Sequence, residues 1–170
     1  MTDKNIFLVG MTGSGKTFWG KKIATALRKD FFDLDHEIEN HEQKTILQIF
    51  LDNGEEYFRQ KEAAILRTFE KKQGFVLATG GGTPCFFDNV TWLNKNGLTV
   101  WIDEPAPVLA ERLFYEKEHR PLIRNFNSDE LVDFLQDKIK ERYPCFSKAN
   151  VHIESPRHLI KDILKKIRHV

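Results

Sequence analysis

Near the N-terminus, Gly10-Met-Thr-Gly-Ser-Gly-Lys16-Thr17 fits the pattern G-x-x-x-x-G-K-S/T without a mismatch. It stands between a compact apolar run, Ile6-Phe-Leu-Val9, and a segment in which Trp19, Ile23 and Leu27 recur every four residues. The run reads as a buried strand and the recurrence as one face of a helix. A strand that passes through glycines straight into a helix is a structure with a purpose. Glycines let successive backbone N–H groups turn inward around a phosphate. The helix aims its positive end at the same point. Lys16 supplies a mobile point charge for the terminal phosphates, and the Thr17 hydroxyl is a hard oxygen suited to Mg²⁺. The motif therefore predicts a nucleoside triphosphate site, with Gly13, Ser14, Gly15, Lys16, Thr17 and the adjoining Phe18 as contacts. It does not choose among GTPases, motor ATPases and small-molecule kinases, which share it.

The rest of the chain repeats the alternation of short apolar runs and longer helical periods. Phe31-Phe32, Phe75-Val-Leu-Ala78, Leu98-Thr-Val-Trp-Ile102 and Val151-His-Ile153 read as further strands. Thr45 to Phe69 is helical in pattern, with Gly54 as a break. Pro105 suits the first turn of a helix carrying Val108, Leu109 and Leu113. Leu131, Leu135 and Ile139 mark another helix, with Asn127 and Glu130 spaced as a capping box. Ser155-Pro156 opens a last helix striped by Ile160, Leu164 and Ile167. Such alternation implies an α/β layered fold around a mostly parallel sheet, with ligands beyond the carboxyl ends of the strands.

Composition narrows the function. The chain has 170 residues, which suggests one domain, residues 1–170, without linker or repeat. Its formal net charge is +1, which gives no support to a nucleic-acid or membrane-surface binder. Two cysteines, Cys85 and Cys145, form no C-x-x-C pair, so neither a disulfide framework nor a cysteine zinc site is expected, and a cytoplasmic setting is natural. No apolar stretch approaches a membrane span or a signal peptide. The six histidines show no metal-ligand spacing. The cations of the final helix, Lys161 to His169, read as a solvated face over a packed stripe.

Within the phosphate-loop class, a GTPase needs an N-K-x-D signature, and Asn94-Lys-Asn-Gly97 has glycine where the acid belongs. Asp103-Glu104, at the end of an apolar strand, mimics a Walker B segment. The plainer reading is an acidic turn at a helix start. The alternative acids are Asp33 and Asp35, two residues apart at a strand end, where an extended chain would point both into the cleft. Thr79-Gly80-Gly81-Gly82 follows a strand as well, and such glycines allow close backbone approach to a ring.

These pieces come in an order that resembles the shikimate kinase family from end to end. They are the loop Gly10 to Thr17, Asp33-Leu-Asp35, Gly54-Glu-Glu-Tyr-Phe58-Arg59-Gln-Lys-Glu62, Thr79 to Gly82, Arg120-Pro-Leu122 and Glu141-Arg142. The resemblance implies a phosphate-loop kinase fold: a three-layer sandwich with a five-stranded parallel sheet, order 2-3-1-4-5, flanked by helices. It implies ATP- and Mg²⁺-dependent phosphorylation of the 3-hydroxyl of shikimate, with Thr17 and Asp33 on the metal side. By the same carry-over, Asp35 binds the substrate hydroxyls and assists proton removal. Arg59 and Arg142 grip the carboxylate, and Gly80, Gly81 and Gly82 form a wall for the ring. Arg120 closes over the phosphates from a lid at about 113–126, a substrate-binding helical segment spans about 33–62, and Arg112 and Arg157 flank the adenine. Lys16, Asp35 and Arg120 are the expected catalytic residues. Phe146 stands where the family commonly has Tyr, and Asn150 near a position often acidic. A related small-metabolite kinase, such as a gluconate kinase, and a nucleotide-binding module without catalysis are the rival readings. A monomer is expected.

Overall fold

Ile6, Phe7, Leu8 and Val9 are all buried, and they divide by alternation. Phe7 and Val9 join one hydrophobic core, Ile6 and Leu8 the other. A strand covered on both faces is the signature of a parallel sheet sandwiched between helices. The computed structural model describes residues 4–115, 126–155 and 160–170. Its five strands are β1 (Ile6–Val9), β2 (Asp30–Asp33), β3 (Phe75–Ala78), β4 (Leu98–Asp103) and β5 (Val151–Glu154), in spatial order β2-β3-β1-β4-β5. Every pairing is parallel. The expected sheet and its order are thus present.

The helices sort onto the two faces. The helix α1 (Lys16–Leu27) packs Ile23, Ala24 and Leu27 against Ile6, Leu8, Val76 and Val100, and α7 (Ile160–Arg168) joins it there. The opposite core gathers α2 (Leu34–Glu42), α3 (Ile46–Arg67), α4 (Asn89–Asn96), α5 (Ala106–Phe114) and α6 (Ser128–Phe146) around Phe7, Phe75, Leu77 and Trp101. Fully burying a side chain of this size contributes roughly 1.5–3 kcal/mol.

Local signals hold in detail. Gly54 has φ 82° and ψ 175°, which breaks the helical path inside α3. Asn127 and Glu130 form the expected capping box at the start of α6. Phe146 is fully buried and stacks on Trp101. The Asn150 side chain accepts from the backbone N–H of Thr99, tying β4 to the approach of β5. One reading needs correction. Asp33 and Asp35 do not share an extended strand: Asp33 ends β2 and caps α2, and Asp35 lies in the first turn of that helix. The stripe of α7 packs as expected through Ile160, Leu164 and Ile167, with Ile163 as a further, fully buried member. Asp103 ends β4 and Glu104 precedes Pro105, the N-cap of α5, so the two acids form the expected turn at a helix start, with no side-chain capping hydrogen bond. Of the expected Ser155-Pro156 start, Pro156 lies outside the described residues, and α7 is described from Ile160. Among the described residues no helix is long and apolar enough to cross a membrane.

Candidate active site

β1, β2 and β3 all end at one edge of the sheet, and each is followed by a loaded segment. The cleft there has a volume of about 760 Å³ and is lined by Thr12, Lys16, Thr17, Asp33, Asp35 and Gly81, among others. Strand order reverses across β1, so a ligand crevice belongs at this edge.

After β1 the chain turns through Gly13 and Gly15, at φ 83° and 88°, into α1. L side chains rarely adopt that backbone, which is why the loop spends glycines there. The Lys16 ammonium is only 8% exposed and donates to the carbonyls of Gly10 at 2.9 Å and Met11 at 2.8 Å. The Ser14 hydroxyl is buried with no hydrogen-bond partner among the described residues. An unpaired buried polar group costs about 1–3 kcal/mol, a cost a fold keeps mainly at working sites.

After β2, Asp33 uses both carboxylate oxygens. One accepts from the Asp35 backbone N–H at 3.1 Å and the other from the Thr17 hydroxyl at 2.7 Å. Asp35 is exposed to the cleft as a residue, yet protein atoms crowd around its carboxyl on the other sides. That desolvation pushes its pKa from 3.8 up to about 6, helped by the negative charges of Asp33 and Glu62 and opposed by Lys16.

After β3 comes Gly80-Gly81-Gly82, on which three elements converge. A methyl group on Gly80 would lie 2.8 Å from Glu62 Oε1 and 3.2 Å from Asp35 Oδ1. On Gly81 it would collide with Thr12 of the phosphate loop, and on Gly82 it would lie 2.8 Å from Arg59 Nη2. The glycines thus set how near the loop, the acid and the arginine can stand. Arg59, on α3, donates to Glu62 at 3.1 Å and to Glu55 at 3.1 and 3.2 Å. Its guanidinium lies 4.3 Å from the ring centre of Phe86 and 5.0 Å from that of Phe58. Arg142, near the end of α6, donates to the Gly81 carbonyl at 3.0 Å. Burial, and then the like charge of Arg59, press its guanidinium below the ordinary arginine range. Two cations brought together in a partly buried place form a ready receptor for a carboxylate. Beside them the Cys85 thiol is pushed up to about 12, mainly by burial and by Cys145, and so stays neutral.

The family model described as shikimate kinase matches residues 12–170. The chain belongs to the shikimate kinase family. It is similar to a shikimate kinase of Phocaeicola vulgatus, 42% identical over 92% of this chain and 85% of the relative. The crystal structure of a shikimate kinase from Bacteroides thetaiotaomicron superposes with a TM-score of 0.89 at 34% identity, covering 99% of this chain and 98% of the other. That of an Acinetobacter baumannii shikimate kinase in complex with shikimate gives 0.86 at 34% identity, covering 99% and 92%.

In this member of the shikimate kinase family the cleft brings together Gly13, Gly15, Lys16, Thr17, Phe18, Asp33, Asp35, Gly80, Gly81 and Arg112. Ser14 sits inside the loop, and Arg59, Gly82 and Arg142 stand against the glycine triplet. Arg120, Arg157 and most of the lid segment lie outside the described residues. Sequence reasoning gave no role to Glu62, although it is fully buried and binds both Arg59 and the Thr83 hydroxyl. Its position three residues after Arg59 on one helix was the available signal. Phe86 had none, because its contact with Arg59 is long-range.

Proposed function

We propose that the chain transfers the terminal phosphoryl group of ATP to the 3-hydroxyl of shikimate, giving shikimate 3-phosphate and ADP, a step of aromatic amino-acid biosynthesis. The observation that carries the assignment of the site is the meeting of Arg59, Arg142 and Asp35 around one glycine triplet, next to the phosphate loop. A small ring bearing one carboxylate and several hydroxyls matches that arrangement: the arginines at one end, the acid at the other, bare backbone between.

Phosphoryl transfer needs positioning and charge neutralisation more than covalent work. The loop amides and Lys16 hold the phosphates, and Arg120 keeps the closing role that family resemblance implies. Asp35 hydrogen-bonds the attacking hydroxyl and takes its proton; a pKa near the working pH suits that task. The Thr17 hydroxyl and an Asp33 oxygen, 2.7 Å apart, are hard donors and fit Mg²⁺. Bound there with ATP, the ion would offset the charge on the phosphoryl oxygens. Asp103 is not available for this, because it faces His152 at 2.8 Å. Phe18, Arg112 and Arg157 complete the nucleotide side. The state proposed with this site is a monomer of one domain. Both cysteines are free, which suits the cytoplasm.

A coupled assay of ADP release tests the reading. Shikimate should stimulate release strongly and gluconate should not; a rate no higher with shikimate than without it would refute the assignment. A narrower test addresses the carboxylate grip. Arg142→Lys keeps the charge but loses the planar fork. A hydrogen bond to a charged group contributes about 1.5–3 kcal/mol, so the KM for shikimate should rise about ten- to a hundredfold. The KM for ATP should move less than about twofold. Equal increases in both would remove Arg142 from the substrate side.

A further inference from the structure

Glu104 is unexplained by the chemistry above. It sits in the turn from β4 to α5 with only 6% of its surface exposed, and a buried carboxylate is costly unless paired. Its place in the turn before a helix start does not by itself explain that burial. It does not cap α5, and the metal-side hydroxyl of Thr17 is held by Asp33 instead.

Its carboxylate accepts from Arg112 Nη2 at 2.8 Å. The other terminal nitrogen of the same guanidinium, Nη1, donates to the Gly13 carbonyl in the phosphate loop at 2.9 Å. One planar group thus joins the end of β4, the last turn of α5 and the loop itself. The join is on the ligand side. Arg112 and Leu113 line the same cleft as Lys16, Thr17, Phe18 and Trp19. A methyl group on Gly15 would fall 3.8 Å from Arg112 Nη1 and 3.5 Å from the Trp19 ring. Arg112 is itself about half exposed, so without a buried anchor its long side chain would sample many rotamers.

We propose that Glu104 is a positioning residue for nucleotide binding: its buried carboxylate fixes Arg112 across the phosphate loop, so that the guanidinium and the Gly13 carbonyl are set before the triphosphate arrives. A guanidinium has five N–H donors and a flat face, so the two bonds it makes here leave it able to meet a nucleotide. Pre-ordering one rotamer-rich side chain improves affinity without any new contact to the ligand. The inference rests on ATP as the nucleotide, as proposed above.

The test compares Glu104→Gln, Arg112→Lys and the double variant by ATP titration calorimetry and by steady-state kinetics. Glu104→Gln should weaken ATP binding and raise the KM for ATP about five- to tenfold, the cost of ordering one such side chain. The KM for shikimate should change less than about twofold. Arg112→Lys measures the direct loss of the fork on the nucleotide side. If the Gln variant folds poorly, Glu104→Asp, which keeps the charge but shortens its reach to Arg112, should show the same ATP-selective defect, and unchanged ATP affinity there would also overturn the proposal. In the double variant the second change should add less than about twofold, because both act through one contact. Unchanged ATP affinity in Glu104→Gln, full additivity, or equal rises in both KM values would overturn the proposal. If the unaltered chain binds ATP but does not phosphorylate shikimate, the proposed function falls while the calorimetry still decides Glu104.

Discussion

Asp35→Asn is expected to abolish most of the activity and, at neutral pH, to make the protein more stable. The first effect follows from the role proposed for the carboxylate. Losing a positioned general base costs typically about 10²- to 10⁴-fold, here in kcat. The second follows from the raised pKa. In the unfolded chain Asp35 loses its proton near 3.8, and in the folded chain only near 6. Between those values the folded state holds the extra proton. The group's favourable contribution is therefore complete below about pH 4 and is lost as pH rises through 6. At pH 7 the ionised Asp35 opposes folding. Because its side chain keeps contact with solvent, the cost is discounted to about 1 kcal/mol, or about 2–4 °C in Tm for a chain of this size. Asparagine does not titrate, so thermal melts at pH 7 should favour the variant, and the difference should vanish near pH 4. The unaltered enzyme should show an acid limb in kcat/KM near pH 6. Near-normal turnover in the variant, or a lower Tm at pH 7, would contradict the assignment.

The phosphate loop was legible because its physics is local: strand, glycines, lysine and helix start are consecutive. β1, β3 and β4 were legible because each is a short apolar run buried on both faces, whereas the edge strands β2 and β5 showed only Phe31-Phe32 and the alternation Val151-His-Ile153. The helix α2 was missed as a separate element because it buries only Leu34 and Ile38, too few for a periodic signal. That miss led directly to the wrong geometry for Asp33 and Asp35, although both do reach the cleft. In α7 the apolar residues at 160, 163, 164 and 167 permit more than one rotation, and only packing on α1 and β5 chooses it. Within the site, the partners of Arg59 on its own helix lay at helical spacing, whereas Phe86 against Arg59 arises only when the segment after β3 meets α3, and Gly81 against Arg142 only when that segment meets α6. The Glu104–Arg112 pair spans a strand-to-helix turn, where no fixed period links the two residues.

Lys16→Ala should give the other large effect, and of a different kind. In the folded chain the ammonium rests on the Gly10 and Met11 carbonyls, already inside the loop that would surround the phosphates. It therefore meets the transferring group without a long search, and its charge acts in a place with little water to screen it. Removing one pre-set stabilising donor of this sort lowers kcat by about 10²- to 10³-fold. Shikimate binding should change less than about twofold, because the carboxylate grip is assigned to Arg59 and Arg142, which are held by Glu55, Glu62 and the Gly81 carbonyl. A second readout separates electrostatics from collapse of the loop. Lys16 is the cation that holds Asp35 down against burial and its acidic neighbours. Its loss should move the acid limb of the residual activity to higher pH, so the variant should need more alkaline conditions to reach its plateau. A rate loss with the limb unmoved would leave Lys16 a phosphate contact but break its link to Asp35. Equal losses in turnover and in shikimate affinity would mean that the loop had rearranged, and that the two halves of the cleft are one cooperative structure.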